Sequence, residues 1–171
     1  RPGGKNPNLG KTSATLRAEY QPTLKKFTKR KPTIVCWGEM ARRIIAFILH
    51  IFGQPSAGIK RALTDAYKAQ PTGKVLIYTN TKSTAETTLT TVAENVLEER
   101  NIMGETIALT GDCGIMMMSF LMAAFCGDVQ TVNMMCMPCT SAANCGVSSK
   151  DCFRALRYSL PPHMIDIMQE M

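Results

Sequence analysis

Three things are scarce in this sequence of 171 residues, and each scarcity narrows the possible functions. No apolar run reaches the roughly 18 residues that a membrane span needs, and the longest candidate, residues 44–53, is interrupted by His50. The opening residues, RPGGKNPNLGK, lack an apolar signal-peptide core, so we expect an intracellular protein without a membrane partner, nuclear if the source is eukaryotic. The only histidines are His50 and His163, and nothing resembles a Ser-His-Asp or Cys-His nucleophile system, so no catalytic residue is predicted.

Acidic residues are scarce in the first 43 residues, which hold Glu19 and Glu39 against 11 Lys/Arg. The rest of the chain is slightly acidic, and the formal net charge of the whole is +7. The basic cluster KKFTKRK at 25–31 is typical of a segment that follows a phosphate backbone. It is equally typical of a solvated, positively charged connector.

Seven cysteines without a secretory signal indicate reduced thiols, and their odd number leaves one unpaired in any full disulfide scheme. Cys136 and Cys139 form a C-x-x-C pair, with Cys145 and Cys152 downstream, so a zinc site is an open alternative. Against zinc, Cys136 lies in the apolar run VNMMCM, where cysteine behaves as a small hydrophobic residue. We expect no metal.

From residue 32 onward, short apolar runs alternate with helical patterns. The runs predict strands at 33–38, 74–80, 105–111, 132–138 and 152–160, and the segment 42–51 is ambiguous but alternates like a strand. Helical spacing predicts helices over 55–70, 82–101 and 115–127, and a terminal helix from Pro161 or Pro162. This alternation, with short connectors, predicts an α/β fold with a parallel sheet flanked by helices.

Three loops rich in hydroxyls, amides and glycine follow the predicted strands: TNTKS, TGDCG and PCTSAANCG. In parallel sheets, ligands gather beyond the carboxyl ends of the strands, so these loops are expected on one rim. Ser83 and Glu86 have the spacing of a capping box for the helix that follows the first loop. The methionines at 116, 117, 118 and 122 are more typical of adaptable core packing than of a binding groove.

Five segments in order resemble the motifs of superfamily 2 helicases: SAT at 13–15, VLIYTNTKSTAE at 75–86, IALTGDCG…FLMAAFCGD at 107–128, PCTSAANCGVSSKD at 138–151 and LPPHMIDIMQE at 160–170. Gln169-Glu170 is similar to the start of the final RecQ motif, whereas DEAD-box proteins usually have His-Arg there. The resemblance covers residues 12–171. It implies a RecA-like second motor domain over 32–171, preceded at 1–31 by the tail of a first motor domain and a basic connector, which we expect to be partly disordered.

The resemblance also implies a track for a nucleic-acid strand across the three rim loops. Hydroxyls, backbone N–H groups and helix N-termini hold phosphates without reading sequence. The implied contact residues are Thr79, Asn80, Ser83, Thr110, Gly111, Thr140 and Ser141. On the nucleotide side the resemblance implies Gly146, Ser148 and Gln169, although the family usually has Gly-Ile-Asp or Gly-Ile-Asn where Gly146-Val147-Ser148 stands.

The implied parent protein is an ATP-dependent 3′-to-5′ DNA helicase with ATP and Mg as cofactors, single-stranded or duplex DNA as substrate, and a first motor domain as partner. The phosphate loop and the DEAH-like metal-binding motif of the family belong to the first motor domain, and neither is expected in this fragment. The expected arginines of the final motif would follow Met171. We therefore expect a fragment that supplies half of the strand track and one wall of the ATP cleft, and that neither binds a cofactor nor hydrolyses ATP alone. An RNA helicase fragment and a degenerate, non-catalytic module that binds nucleic acid or protein are the alternatives.

Overall fold

The structure, a computed structural model, describes residues 53–143, 149 and 151–160. The helices are α1 (Pro55–Ala69), a π-helical segment (Thr84–Leu89) that continues into α2 (Thr90–Glu99), α3 (Ile115–Cys126) and a short 3-10 turn (Ser141–Ala143). The strands are β1 (Lys74–Tyr78), β2 (Glu105–Thr106), β3 (Met134–Cys139) and β4 (Cys152–Arg157). The predicted elements at 33–38, 42–51 and beyond Pro161, and the predicted boundary at residues 31/32, lie outside the described residues.

The four strands form one sheet in the order β2-β3-β1-β4, and every pairing is parallel. Val75 of β1 is in register with Cys136 of β3 and with Arg154 of β4. The predicted α/β fold is therefore confirmed. No helix in this described part of the chain is both long enough and apolar enough to cross a membrane.

Helices cover both faces of the sheet, and β1 contributes buried side chains to both faces. All five of its residues are buried, as expected of a continuous apolar run in a parallel sheet. Val75 and Ile77 pack with α1 and α2 in one core cluster, whereas Leu76 and Tyr78 pack with α3 in the other. Successive side chains of a strand point to opposite faces, so one apolar strand anchors both layers.

The second strand is much shorter than predicted, because Pro138 interrupts its ladder. The Ile107 N–H donates to Cys136 O at 3.4 Å and the Leu109 N–H donates to Pro138 O at 2.8 Å. The bond between these two would be donated by the N–H of residue 138, which proline lacks. The predicted strand 105–111 is therefore wrong in its length: β2 ends at Thr106, and only an isolated bridge between Leu109 and Cys139 follows.

The C-x-x-C pair is divided between the two faces of the sheet. Cys136 packs in the cluster beneath α1 and α2, and Cys139 packs in the cluster beneath α3. Both thiols are buried. The pair therefore cannot chelate one ion, and no group of metal-ligating side chains occurs within the described residues. The zinc hypothesis also included Cys145 and Cys152. Cys145 lies outside the described residues, and Cys152 is the first residue of β4.

Tyr67 fixes a local irregularity in β3. Glu105 pairs with Met134 and Thr106 pairs with Cys136, so Met135 is an extra residue in this strand. The hydroxyl of buried Tyr67 donates to Met135 O at 3.0 Å. Burial raises the pKa of Tyr67 above its ordinary value, and it likewise raises the pKa of the Cys136 thiol.

Lys74 closes the amino edge of the sheet under the C-terminus of α3. Its side chain is buried, and Nζ donates to Phe125 O at 2.7 Å. The cation also lies 5.7 Å from the Phe125 ring centroid. Gly127 ends the helix in the left-handed region at φ 86°. A cation beside the last carbonyls of a helix satisfies them and opposes the helix dipole.

Candidate nucleic-acid interface

Backbone hydrogen bonds bring the three predicted loops together at the carboxyl edge of the sheet. The Thr79 N–H, after β1, donates to Cys139 O at 2.9 Å. The Thr140 N–H, after β3, donates to Leu109 O at 3.2 Å. The loops that follow Leu109, Cys139 and Tyr78 are therefore neighbours in that order. We refer to residues 79–83, 110–114 and 140–141 together as the rim.

Two side-chain contacts tie the second rim loop to the first rim loop and to the π-helical segment that follows it. The Thr110 hydroxyl donates to Glu86 Oε1 at 2.8 Å, which joins the second loop to the π-helical segment. Lys82 and Asp112 form an ion pair, and both side chains are largely exposed. Sequence reasoning did not select Lys82 or Asp112. Their charges within two loops already predicted to share a rim were the available signal.

The seven predicted contact residues divide into accessible and inaccessible groups. The side chains of Thr79, Thr110 and Thr140 are buried. Asn80, Ser83, Gly111 and Ser141 are exposed on the rim. Contact with a nucleic acid stays a prediction for all seven, and this arrangement gives the exposed four the direct access to a strand.

The exposed Asn80 is already engaged with the end of β4. Its Nδ2 donates to Leu160 O at 2.9 Å, and its Oδ1 accepts a hydrogen bond from Arg157 Nη2. Arg157 Nε also donates to Ser159 O at 2.6 Å. The amide of Asn80 therefore holds the first rim loop against the β4 exit, and Arg157 adds a cation to this end of the rim.

The predicted capping box is wrong. Ser83 has helical backbone angles (φ −55°, ψ −42°) and makes no capping hydrogen bond. The Glu86 carboxylate accepts from Thr110 instead of reaching back to residue 83. Two residues before Ser83, Thr81 Oγ1 donates to Thr84 Oγ1 at 2.6 Å, a bond between two side chains. The Ser83 hydroxyl thus makes no hydrogen bond that caps the helix. Ser83 is exposed, next to Lys82 in the first rim loop.

Gly111, like Gly114 in the same rim loop, has open space around it. A Cβ built on it would meet no heavy atom within 4 Å. Its backbone therefore faces open space, and a side chain added here would fill space outside the folded chain. This position allows a close approach of a ligand backbone.

The first half of α3 presents apolar side chains to solvent next to the second rim loop. Ile115 and Met116 are 85% and 88% exposed, and Met117 and Phe120 are also exposed. Met118 and Met122 pack against the core beneath α3. The prediction that the methionines are core residues is therefore wrong for Met116 and Met117 and confirmed for the other two.

The predicted nucleotide-side residues Gly146, Ser148 and Gln169 lie outside the described residues. The described part of the candidate site is therefore the strand side of the rim. The acidic and basic side chains at the rim or bonded to it include the Lys82–Asp112 pair, Glu86 and Arg157.

Comparison with known proteins shows the fold. No family model matches the sequence, and no curated protein matches it. The structure of Saccharomyces cerevisiae Dbp5 L327V bound to RNA and ADP BeF3 is similar with a TM-score of 0.63 and 16% identity, over 92% of this chain and 39% of that one. The helicase domain of Pyrococcus furiosus Hef is similar with a TM-score of 0.52 and 14% identity, over 68% of this chain and 22% of that one.

This chain thus spans less than half the length of the structures that it matches. Its described residues have the fold of a RecA-like helicase domain. The position of the rim at the carboxyl ends of parallel strands is where ligands of such sheets bind.

Proposed function

We propose that this chain is the second RecA-like domain of an ATP-dependent 3′-to-5′ DNA helicase of the RecQ type. One observation carries the proposal: three loops rich in hydroxyls and glycine lie side by side on one edge of a parallel sheet. The Thr79–Cys139 and Thr140–Leu109 backbone hydrogen bonds hold them there. The fold shared with Hef and Dbp5 supports it. The Dbp5 structure holds RNA, which supports a nucleic-acid partner for the same fold here.

In the proposed function the rim is half of the track for a single strand. Exposed Ser83, Ser141 and the open backbone at Gly111 would hold phosphates and sugars, and Lys82 would add one cation. Such contacts position a strand without reading its bases. The buried Thr79, Thr110 and Thr140 would act beneath the track by holding the loops in place.

The other half of the track and the phosphate-binding face would belong to the first motor domain. ATP and Mg would be cofactors of that parent protein, and Gly146, Ser148 and Gln169 remain the proposed contacts on this side of the cleft. When bound there, ATP would supply the energy for this domain to move against its partner along the strand. We expect the 171-residue chain alone to bind neither cofactor and to show no ATP turnover, and a nuclear or other intracellular location stays part of the proposal.

Fluorescence anisotropy of a labelled 20-nucleotide oligo(dT) with the 171-residue chain tests the track. We expect weak binding that falls steeply between 50 and 200 mM salt, because phosphate contacts release counterions. Gly111→Val should abolish most of it, since the added side chain fits the folded chain but occupies the path of the strand. Ser141→Ala should weaken it by about two- to fivefold, consistent with the loss of one hydrogen bond.

Thr131→Ala is the matched control, because Thr131 is exposed in the turn before β3, at the opposite edge of the sheet. Circular dichroism and a urea midpoint would verify that each variant folds. An oligo(dT) affinity that does not change with salt would refute the strand track. Equal losses of affinity for Ser141→Ala and Thr131→Ala would also refute it. Matched oligo(dT) and oligo(U) titrations, with unwinding of matched duplexes by the full-length parent, decide between the DNA helicase and the alternative RNA helicase.

One observation favours a second candidate, a degenerate non-catalytic module that binds nucleic acid or protein. The exposed apolar half of α3 borders the rim, at Ile115, Met116, Met117 and Phe120. Contiguous exposed apolar side chains mark interaction surfaces. ATPase activity of the parent protein discriminates: DNA-stimulated turnover supports the motor, and its absence in a parent that still binds DNA supports the module.

A further inference from the structure

A second concave site lies on the outer edge of the sheet, away from the rim. The cavity has a volume of about 520 Å³ and is lined by α2, by the connection 102–104 and by both residues of β2. Glu94 and Glu98 of α2 and Glu105 of β2 supply three carboxylates. Leu97, Ile102 and Met103 supply its apolar wall.

The three carboxylates form no ion pair with any residue that the structure describes. All three side chains are exposed, and none has a hydrogen-bond or ion-pair partner in the described part of the chain. Glu99, one residue further on α2, differs because Lys60 pairs with it at 2.5 Å. Glu94 and Glu98 lie one helical turn apart, where like charges repel each other. The groove therefore offers negative potential that no described cation neutralises.

A buried hydroxyl in the same wall also lacks a partner. Thr106 is only 8% exposed, lines the cavity, and its Oγ1 has no hydrogen bond within the described residues. A buried hydroxyl without a partner is costly, and native proteins rarely leave one. This unsatisfied group is independent of the carboxylates, and a rotation of the Thr106 side chain toward a ligand in the groove would give the hydroxyl a partner.

On the same side, the backbone of β2 has no neighbouring strand within the described residues. The sheet order ends at β2, so its outer edge has no strand partner among the described residues. The N–H groups of Glu105, Ile107 and Leu109 donate toward β3. Adjacent residues of a strand alternate in direction, so the peptide groups of Thr106 and Ala108 face outward.

We propose that this groove binds an extended cationic peptide as an additional strand on β2. Its backbone would pair with Thr106 and Ala108, and a rotation of the buried Thr106 side chain would bring its hydroxyl to a polar group of the peptide. Alternate side chains of a strand lie about 6.6 Å apart on one face. Residues four apart in a helix are separated by about 6 Å along its axis. Lysines at positions i and i+2 of the peptide would therefore meet Glu94 and Glu98, and the intervening apolar side chains would face the opposite side of the added strand.

The probe is a fluorescently labelled Val-Lys-Val-Lys-Val-Lys peptide, titrated into the 171-residue chain by anisotropy. The double variant Glu94→Gln/Glu98→Gln should weaken binding at least fivefold. The matched control Asp65→Asn/Asp128→Asn removes two exposed carboxylates elsewhere and should change affinity less than twofold. Equal effects of the two double variants would overturn the proposal, because they would show general charge attraction only.

The strand geometry is tested with two peptides that carry N-methyl groups on alternate amides, one in each register. Only the register whose N–H groups face β2 should lose binding, and the Thr106 and Ala108 amide resonances should shift on titration with the unmodified peptide. Equal affinity of the two registers would refute strand addition. Spermidine that binds as tightly as the peptide would also refute it, since the groove would then accept any polycation.

Discussion

The ion pair on the rim gives the sharpest prediction about the track. Lys82 and Asp112 hold the first two rim loops together, and both side chains are largely exposed. A phosphate that passes over this pair would be attracted by Lys82 and repelled by Asp112. Asp112→Asn removes the repulsion, keeps the shape of the side chain and releases Lys82 for the strand. We therefore expect Asp112→Asn to tighten single-strand binding, which is unusual for a substitution within a binding site.

The expected size follows from Coulomb's law. A carboxylate and a phosphate about 8 Å apart repel by about 0.5 kcal/mol in water and about 2 kcal/mol at the effective dielectric of a protein surface. Screening at low salt removes about half of this, which leaves about a two- to fivefold change in affinity. The pair itself contributes at most about 1 kcal/mol to folding because it is exposed, so the fold should survive its loss.

Anisotropy titrations of oligo(dT) from 50 to 200 mM salt measure the effect. Lys82→Ala should weaken binding and lower the salt slope by about 0.7, the value for one phosphate contact with a single strand. Lys68→Ala is the matched control, since Lys68 is exposed in the last turn of α1, at the opposite edge of the sheet. Weaker binding by Asp112→Asn, or equal slopes for the Lys82 and Lys68 variants, would refute the placement of the strand over this pair.

Three further predictions concern stability. Tyr67→Phe removes the hydrogen bond to Met135 O and should lower the free energy of unfolding by about 1 to 2 kcal/mol, as measured by urea denaturation, while Tyr67→Leu should cost more because it also leaves a cavity. Lys74→Met should cost about 1 to 2 kcal/mol, since it keeps the buried stem but strips a charged donor from the last carbonyls of α3; an unchanged thermal midpoint would contradict this. Burial raises the pKa values of the Cys136 and Cys152 thiols, so the folded state favours their neutral forms, and their contribution is complete below about pH 8.5 and declines as pH rises above it. Above that pH, each thiol should lower the free energy of unfolding by up to about 1.4 kcal/mol per pH unit. In denaturation measured at several pH values, the double Cys→Ala variant should show a smaller decline of the free energy of unfolding with pH.

The order of the strands and helices could be predicted from the sequence because burial on both faces leaves a direct trace in the residues. β1 is a continuous apolar run, and α1 has apolar residues at helical spacing that the structure buries at Ile59, Leu63 and Tyr67. The length of β2 could not be predicted from its own residues. The interruption comes from Pro138, which belongs to the neighbouring strand and was itself predicted as an ordinary strand residue.

The rim was predictable for a different reason. Parallel strands place all their carboxyl ends on one edge, so three loops after three strands lie on that edge whatever their sequences, and the strand order β2-β3-β1 makes them neighbours. Access within the rim depends on packing that the pattern does not contain. Thr79 and Ser83 look alike in the sequence, yet Thr79 is buried beside β3 and Ser83 is exposed. The same holds on α3, where Met116 faces solvent and Met122 packs on the core.

The two proposed sites use different properties of one strand. At its carboxyl end β2 leads into the second rim loop, where backbone at Gly111 faces open space. Along its outer edge β2 borders the acidic groove, where Thr106 lacks a partner. A nucleic acid is repelled by the carboxylates of the groove and a cationic peptide is attracted by them, so charge alone keeps the two ligands on separate surfaces. The Glu94→Gln/Glu98→Gln variant should therefore leave oligo(dT) binding at 200 mM salt unchanged while it weakens the peptide, and a joint loss of both would mean that the two surfaces are one site.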